Sequence, residues 1–444
     1  MAKIFPFRAL RYNPNIVPVV DVVTQPYDKI SPAMQDRYYG ASPYNLVRVI
    51  LGKPEPGDNE KTNVYTRAAE NLRQWRETEV LKQDAGPGIY LYTQTFSVPG
   101  DSSGTKHERR GFIAAGQLEA YDQKVVFRHE QTLSKPKADR LNLLQATQAH
   151  FGQIFMLYSD PAGEVDAILK QSRKPDVEVT DEYAVIHRMW RVSEPATIES
   201  VQRAMADKKL IIADGHHRYE TALNYRNEMR GRARHTADAP YERLMMTFVN
   251  MESSGLVVLP THRVVFGLPN FDFAGISSKL SKYFEVEKVG AGLSVVARME
   301  LLRSAGQDRT ALLAVTSDAG YLLRAHASQS SEFLAGQSEK QRALDVVQLH
   351  KLVLEEALGM SEEDIRDQKH LRYLREAQEA VEEVHRGANV AFLMNPVRMD
   401  QVKDIAFGGG VLPQKSTDFF PKLLSGLTIY SLEEAAQTAA SGGR

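Results

Sequence analysis

The sequence predicts a mixed α/β or α+β fold with more than one domain. The chain has 444 residues, which exceeds the usual length of a single domain. Hydrophobic residues make up 43% and charged residues 25%, as is typical of a globular protein with a substantial core. Helical and extended patterns alternate along the chain, and a short apolar strand is followed directly by a glycine turn and a helix. This order of elements is typical of α/β proteins.

Composition excludes several classes of function. Lys and Arg total 55 and Asp and Glu total 56, so no basic excess indicates nucleic acid as the main ligand. The absence of cysteine excludes disulfides, thiolate metal sites and a cysteine nucleophile. The first residues contain no apolar run of signal-peptide length, and no apolar run is long enough to span a bilayer. We therefore expect a cytoplasmic protein with no membrane or nucleic-acid partner.

Changes in composition along the chain predict its division into domains. The predicted parts are a catalytic, phosphate-binding domain (1–268), a small α+β domain (269–335), a helical and strand region returning to the core (336–430) and a polar tail (431–444). Prolines among the first 50 residues favour strands and a shaped loop there. The segments 344–358 and 371–385 are predicted as amphipathic helices.

The most informative segment is Ala213-Asp-Gly-His-His-Arg218, which follows a short apolar strand and precedes a helix. Gly215 permits a tight turn, and the first amides of a helix attract anions. His216, His217 and Arg218 add side-chain donors at this point, and an arginine can bind phosphate through two hydrogen bonds. Asp214 would hold a cation or cap the helix. The segment therefore predicts a phosphate site, and a capped helix with surface histidines or a zinc site at the two histidines are the alternatives.

Two N-terminal segments offer carboxylates for proton transfer. Pro26 shapes the loop that carries Asp28, which would serve as a base or a metal ligand, or form a simple Asx turn. His129 and Glu130 precede a basic helix, so Glu130 can take a proton from a hydroxyl while cations hold the phosphoryl group. The alternative is a surface network of ion pairs. The pair Arg109-Arg110 is interpreted as solvated charge.

Two later segments carry further candidate phosphate ligands. His262 and Arg263 follow an apolar strand, and strand ends often carry function in α/β proteins; an exposed turn is the alternative. Lys415-Ser416-Thr417 offers a cation and two hydroxyls, although the Gly-x4-Gly-Lys spacing of a Walker A loop is absent. The following Phe-Phe-Pro run would stack on a base or pack in the core.

Several of these sequence segments together resemble a known family. The chain resembles the bacterial DUF1015 family in five segments spread over nearly its full length: Gln25-Pro-Tyr-Asp28, His129-Glu-Gln-Thr132, 213–222, Leu259-Pro-Thr-His-Arg263 and Lys415–Lys422. The Asp-Gly-His-His-Arg loop is also similar to the phosphate loop of the ParB/sulfiredoxin-like superfamily, which includes free serine kinases. The resemblance implies a ParB/sulfiredoxin-like phosphate-binding core with large insertions.

The resemblance to the kinases also implies an activity. It implies phosphoryl transfer from a nucleotide or another phosphoanhydride to a hydroxyl metabolite, with free L-serine as the leading acceptor and Mg²⁺ as cofactor. The implied phosphate ligands are Asp214, Gly215, His216, His217 and Arg218, with Asp214 also contacting the metal. The resemblance does not identify the catalytic base in this sequence. Glu130, His129 and Asp28 therefore all stay candidates for that role. Association into a homo-oligomer is compatible with the sequence. A CTP-type nucleotide switch and a scaffold without turnover are the alternative functions.

Overall fold

The computed structural model describes residues 1–101, 103–130, 135–232, 236–290, 292–327 and 331–433. Its strands are β1 (Ile4–Phe5), β2 (Leu10–Tyr12), β3 (Leu81–Gln83), β4 (Ile89–Phe96), β5 (His107–Gln117), β6 (Val126–Phe127), β7 (Ala149–His150), β8 (Ile154–Tyr158), β9 (Val177–Thr180), β10 (Ile186–Val192), β11 (Leu210–Asp214), β12 (Arg243–Asn250), β13 (Val257–Leu259), β14 (His262–Val265), β15 (Phe284–Val289), β16 (Ala311–Val315), β17 (Gly320–Ala325), β18 (Leu371–Leu374), β19 (Val390–Met394), β20 (Asp418–Phe420) and β21 (Tyr430–Ser431). Its α-helices are α1 (Pro32–Ala41), α2 (Val47–Ile50), α3 (Val64–Glu77), α4 (Lys135–Thr147), α5 (Glu164–Ile168), α6 (Pro195–Met205), α7 (His216–Arg232), α8 (Phe273–Leu280), α9 (Val295–Ala305), α10 (Glu339–Arg342), α11 (Asp345–Gln348), α12 (Glu362–Arg366), α13 (Ala377–His385) and α14 (Met399–Phe407). The predicted mixed α/β class is confirmed.

The chain divides into two compact units that are interleaved in sequence. Unit 1 comprises Met1–Arg128, Thr132–Leu256 and Pro421–Arg444, and unit 2 comprises His129–Gln131 and Val257–Phe420. This division differs from the one that composition predicts. Segments 269–335 and 336–430 are not separate domains, because β16 of the first pairs with β19 of the second in a single sheet.

Unit 1 is built on a mixed sheet that contains nine strands within the described residues. Eight strands follow the order β6-β11-β8-β12-β5-β4-β10-β9, and β1 pairs with β5. The pairs β6–β11 and β8–β12 are parallel, and the other pairs are antiparallel. All five residues of β8 are buried, which explains why this strand is a continuous apolar run rather than an alternating one. The apolar side chains of α7, including Tyr219 and Ala222, belong to the core of this sheet.

The N-terminal part of unit 1 is more helical than its prolines predict. Pro32 occupies the first turn of α1, where its missing N–H costs no hydrogen bond, and the Ser31 side chain caps the helix by accepting from Met34 N. Proline here starts a helix rather than preventing one. Val49 and Ile50 of α2 belong to a second core cluster around Trp75 of α3, whose ring contacts Tyr12 and Tyr44.

Unit 2 contains an antiparallel sheet with the strand order β15-β17-β16-β19-β14-β18 and a separate pair, β13–β20. Two predicted helices differ from the structure. Segment 344–358 forms the short α11 and then a π-helix, Leu349–Ala357. Segment 371–385 forms β18 before α13, because residues 371–374 complete the sheet edge beside β14. None of the helices in the described residues has both the length and the apolar character that crossing a bilayer requires.

Candidate functional site

The Asp-Gly-His-His-Arg segment forms the junction between β11 and α7, as the sequence predicts. Asp214 is the last residue of β11, and His216 is the first residue of α7. Gly215 between them has a φ of +97°. A Cβ at this position would lie 3.0 Å from Ile154 Cδ1 and 3.1 Å from Arg218 Nη2. Both the backbone conformation and the close packing therefore require glycine. The 17-residue α7 starts here with its first amides and the positive end of its dipole.

Asp214 organises the cations at this junction. Arg218 Nη2 donates to Asp214 Oδ2 at 2.9 Å, and Arg218 Nη1 donates to the carbonyl of Gln153 at 2.5 Å. Lys422 Nζ lies 3.5 Å from Asp214 Oδ1. Burial alone would raise the pKa of the Asp214 carboxyl, but Lys422, Arg218, Lys29 and His216 together hold that pKa well below its usual value. Asp214 is therefore ionised at any physiological pH, and it gathers cations beside the start of α7.

The two histidines of the segment differ in exposure. His216 is 8% exposed, and its charge is close enough to lower the pKa of Asp214. His217 is half-buried, and its carbonyl accepts from Thr221 Oγ1 at 2.8 Å. The alternative of two surface histidines therefore does not describe His216. In the part of the chain that the structure describes, no group of three or more His, Asp or Glu side chains is placed to bind a metal ion.

Asp28 lies on a short 3-10 helix, Tyr27–Lys29, and is exposed. The next residue, Lys29, is one of the cations that lower the pKa of Asp214, so this loop reaches the same site. The Arg140 guanidinium lies 4.0 Å from the centre of the Tyr27 ring. A small cavity of about 60 Å³ is lined in part by Tyr27, Arg140 and Arg218. The structure thus brings the predicted Asp28 loop and the predicted phosphate loop to one place within unit 1.

Arg109 is a buried residue that the sequence interpretation places wrongly in solvent. It was predicted to be solvated, but it is 1% exposed, and its guanidinium lies 4.6 Å from the centre of the Phe155 ring. Its Nε donates to Gln94 Oε1 at 3.0 Å, and its Nη2 donates to the carbonyl of Pro421. Burial lowers the pKa of Arg109 to about 9, against the opposing influence of Tyr92 and Asp214. No local pattern marks this burial, because its partners come from other parts of the chain.

The remaining predicted catalytic residues lie in unit 2. Thr417 donates to Glu130 Oε1 twice, from its amide at 3.0 Å and from its hydroxyl at 2.9 Å. His129 Nε2 lies 2.8 Å from the same hydroxyl, and His129 is 0% exposed. Glu130 and His129 therefore hold the Lys415–Thr417 segment in place. Their role as catalytic residues stays a prediction.

The candidate phosphate ligands His262 and Arg263 also lie in unit 2. Both are 1% exposed and belong to β14, so the alternative of an exposed turn is wrong. His262 Nδ1 accepts from Met394 N at 3.1 Å, and burial lowers the pKa of this imidazole to about 3. Arg263 Nη2 donates to the Lys415 carbonyl at 3.1 Å, and burial lowers its pKa to about 10. A neutral His262 whose Nδ1 is committed to the backbone does not favour the predicted phosphate contact.

The hydroxyls and the cation of the Lys415–Thr417 segment have different surroundings. Lys415 is exposed and has a φ of +56°, while Ser416 Oγ donates to the carbonyl of Pro413 at 2.5 Å. Phosphate binding by this segment stays a prediction. Lys422, which follows it in sequence, is instead the residue that reaches Asp214. The structure therefore places the predicted residues in two groups, one in each unit.

Solved structures similar to this chain include a free serine kinase variant in complex with ADP. It is 12% identical with a TM-score of 0.39, and the match covers 76% of this chain and 99% of that chain. A conserved hypothetical protein from Pyrococcus furiosus is 12% identical with a TM-score of 0.35, covering 73% of this chain and 97% of that one. SbnI with a C-terminal truncation, from Staphylococcus aureus, is 9% identical with a TM-score of 0.36, covering 74% and 94%. TM-scores this low do not establish a common fold.

No curated protein matches the sequence significantly. A family model, in contrast, matches residues 4–347, which is well over half of the chain. This match covers four of the five segments that carry the resemblance, and Lys415–Lys422 lies beyond it. The chain belongs to the family described as protein of unknown function (DUF1015).

Proposed function

We propose that this chain is a phosphotransferase that moves a phosphoryl group from a nucleotide or another phosphoanhydride to the hydroxyl of a small metabolite. Free L-serine is the first acceptor to test, because the Asp214–Arg218 loop resembles that of free serine kinases. A ParB/sulfiredoxin-like core is part of the same proposal. The observation that carries it is the cluster of cations around Asp214 at the N-terminus of α7.

The cluster suits a polyphosphate better than it suits a structural ion pair alone. One carboxylate, Asp214, faces Arg218 and Lys422 directly, with Lys29 and His216 also close to it. Several positively charged side chains therefore lie around this one carboxylate, and the helix dipole adds positive potential at the same point. Phosphate oxygens of the donor would accept hydrogen bonds here, and the cations would offset the charge that develops on the transferred group.

Mg²⁺ fits this site as a companion of the donor phosphates. Magnesium in such sites keeps several waters and takes one or two carboxylates in addition to phosphate oxygens. Both oxygens of Asp214 already face cations, so metal contact here would require Lys422 or Arg218 to move onto the phosphate. Asp28 is the exposed carboxylate of the same region. When bound, the ion would neutralise donor charge; metal binding by Asp214 stays a prediction.

Asp28 is the base that the geometry of unit 1 favours. It is exposed, and it adjoins Lys29, whose charge acts on Asp214. In the proposed step the acceptor hydroxyl gives its proton to Asp28 while its oxygen attacks the terminal phosphorus. The bond between that phosphorus and the bridging oxygen then breaks, and the rest of the donor leaves with that oxygen, as ADP from ATP, AMP from ADP or phosphate from pyrophosphate. Glu130 is less suited to this role, because its Oε1 accepts two hydrogen bonds from Thr417.

The cavity beside Arg218 supports a small acceptor. Its volume of about 60 Å³ suits a molecule of a few non-hydrogen atoms, and its lining includes two guanidinium groups, from Arg140 and Arg218. The Tyr27 ring and apolar residues such as Leu143 and Leu144 complete part of the wall. A short hydroxy or amino acid with a carboxylate would match this mixture of charge and apolar surface.

A product screen tests the proposal. The purified chain is incubated with Mg²⁺ and ATP, ADP or pyrophosphate, each crossed with L-serine and other short hydroxy acids, and phosphorylated products are measured by mass spectrometry. Turnover with at least one pair supports the proposal. Thermal stabilisation by CTP without turnover of any acceptor would instead favour a nucleotide switch. Failure of every phosphate compound to bind would exclude both functions.

A further inference from the structure

Unit 1 contains a line of polar side chains inside its sheet that the proposed chemistry does not use. Its members are almost completely buried: Gln25 at 2%, Tyr92 at 2%, Gln94 at 1%, His187 at 0%, and the Asp181 side chain at 4% exposure. A buried polar group without a hydrogen bond destabilises the fold. We therefore describe the hydrogen bonds of all five side chains.

The contacts run without a break from Gln25 to Tyr92. Gln25 Nε2 donates to Asp181 Oδ2 at 3.0 Å, and His187 Nε2 lies 3.2 Å from the same oxygen. The Tyr92 hydroxyl lies 2.6 Å from His187 Nδ1. Burial lowers the pKa of His187 although Asp181 acts to raise it, so the imidazole is neutral. Its Nε2–H therefore donates to Asp181, and its Nδ1 accepts from Tyr92.

At the Tyr92 end, the line holds the main chain of residues 421–424. The Tyr92 hydroxyl accepts from the amide of Leu424 at 3.4 Å, and Gln94 Nε2 donates to the carbonyl of Lys422 at 2.8 Å. Arg109 bridges Gln94 Oε1 and the carbonyl of Pro421. The segment held in this way carries the Lys422 side chain, whose Nζ lies 3.5 Å from Asp214 Oδ1.

At the other end, the line holds the loop that carries Asp28. Gln25 is the first residue of this loop. Lys29, which lies three residues after Pro26, lowers the pKa of Asp214. The adjacent Thr24 pairs with Ser425 through two backbone hydrogen bonds of 3.1 and 2.9 Å. One buried network therefore contacts two chain segments that bring a charged side chain to Asp214 from outside the β11–α7 junction.

We propose that Gln25, Asp181, His187, Tyr92 and Gln94 form a positioning network that fixes the Asp28–Lys29 loop and the 421–424 segment beside Asp214. The proposal rests on the proposed function for its catalytic meaning, but its structural part is independent of that function. None of these five side chains contacts Asp214 within the described residues, so they act through Lys422, Lys29 and Asp28. They are positioning residues rather than catalytic ones.

The matched pair Tyr92→Phe and Tyr158→Phe tests the network. Each substitution removes one hydroxyl from a buried tyrosine of the same sheet, and Tyr158 is 0% exposed with no hydrogen-bond partner for its hydroxyl among the described residues. Hydrogen–deuterium exchange is measured in the full chain on peptides that cover 24–29 and 421–425. We expect Tyr92→Phe to speed exchange in both peptides by about tenfold, and Tyr158→Phe to leave both unchanged.

Kinetics supply the second readout where the wild-type chain shows transfer. We expect Tyr92→Phe to lower kcat about tenfold while the KM for the donor changes little, because misplaced groups affect the transition state most. Asp181→Asn, which keeps shape and removes the charge facing His187, should act in the same direction. Unchanged exchange in both variants, or equal acceleration by Tyr158→Phe, would overturn the network. Absence of transfer in the wild type would overturn the proposed function alone, since the exchange comparison still stands.

Discussion

Each unit buries an arginine on a strand, and the two arginines have much in common. Arg109 on β5 and Arg263 on β14 are both 1% exposed, and each lies over an aromatic ring, Phe155 at 4.6 Å and Tyr373 at 5.0 Å. Burial lowers both pKa values, to about 9 for Arg109 and about 10 for Arg263. Both also donate to main-chain carbonyls in the C-terminal part of the chain.

The nearby carboxylates make the two regions different. In unit 1, Asp214 lies among several cations at the start of a long helix, and these cations lower its pKa. In unit 2, Glu130 Oε1 accepts hydrogen bonds from both the amide and the hydroxyl of Thr417, so this carboxylate holds a segment of the chain. A buried arginine therefore does not identify a functional site by itself. The balance between a carboxylate and its neighbouring cations is the better guide.

Arg218→Ala is the strongest test of this difference. It removes the guanidinium that contacts Asp214 and the Gln153 carbonyl, and we expect phosphoryl transfer to fall by about 10³-fold with the fold retained. Arg203→Ala on α6, whose side chain is 71% exposed, is the matched control and should transfer at the wild-type rate. Turnover and thermal unfolding are measured for both. Normal turnover of Arg218→Ala would remove the cation cluster from the proposed mechanism.

Asp28→Asn and Glu130→Gln compare the candidate bases of the two units. Asp28 is exposed, so we expect Asp28→Asn to lower kcat about 10²-fold without changing the free energy of unfolding. Glu130→Gln should instead lower the free energy of unfolding by about 1 kcal/mol, because a neutral amide oxygen is a weaker acceptor for Thr417. Kinetics and urea unfolding are measured for both variants. The opposite result, with Glu130→Gln inactive and Asp28→Asn active, would place the base in unit 2.

Gly215→Ala tests whether the turn before α7 is as constrained as its contacts indicate. The added Cβ meets Ile154 and Arg218 at 3.0–3.1 Å at a φ of +97°, so we expect a loss of about 2–3 kcal/mol in the free energy of unfolding. Gly163→Ala is the control, because its φ is +65° and nothing lies within 4 Å of the added Cβ. It should cost only about 1 kcal/mol. Equal losses in urea unfolding would show that backbone conformation alone matters at residue 215.

The sequence predicts the parts of the molecule that depend on neighbouring residues. The β11–Gly215–α7 junction follows from a short apolar run, a glycine and a helical pattern, all within one segment. The buried strand β8 follows from its continuous apolar residues. In both cases the physical cause of the structure lies in the segment itself.

The parts that the sequence does not predict depend on distant residues. Arg109 donates to Gln94, its partner across the β4–β5 pair, and to the carbonyl of Pro421, which is distant in sequence and which no local pattern could place there. Lys422 reaches Asp214 because backbone pairing of Thr24 with Ser425 brings the end of the chain into unit 1. Composition also cannot show that 269–335 and 336–430 share a sheet, because that depends on the pairing of β16 with β19.

Asp345 of unit 2 and Asp214 of unit 1 contribute to stability with opposite pH dependences. Burial raises the pKa of Asp345 to about 7, although hydrogen bonds from Thr310, Ala311 and Asn395 and the charge of Arg398 act to lower it. Between pH 3.8, the ordinary pKa of an aspartate, and about pH 7, the native chain therefore binds more protons at Asp345 than the unfolded chain does. The contribution of Asp345 to stability falls as the pH rises through this range. Asp214, whose pKa is lowered, contributes stability at pH values above 3.8, its ordinary pKa, and this contribution is lost only as the pH falls below 3.8.

We expect Asp345→Asn to raise the free energy of unfolding at about pH 8 by about 1 kcal/mol and to change it little near pH 4, as measured by urea unfolding. An equal effect at both pH values would show that the pKa of Asp345 is not raised in the native chain.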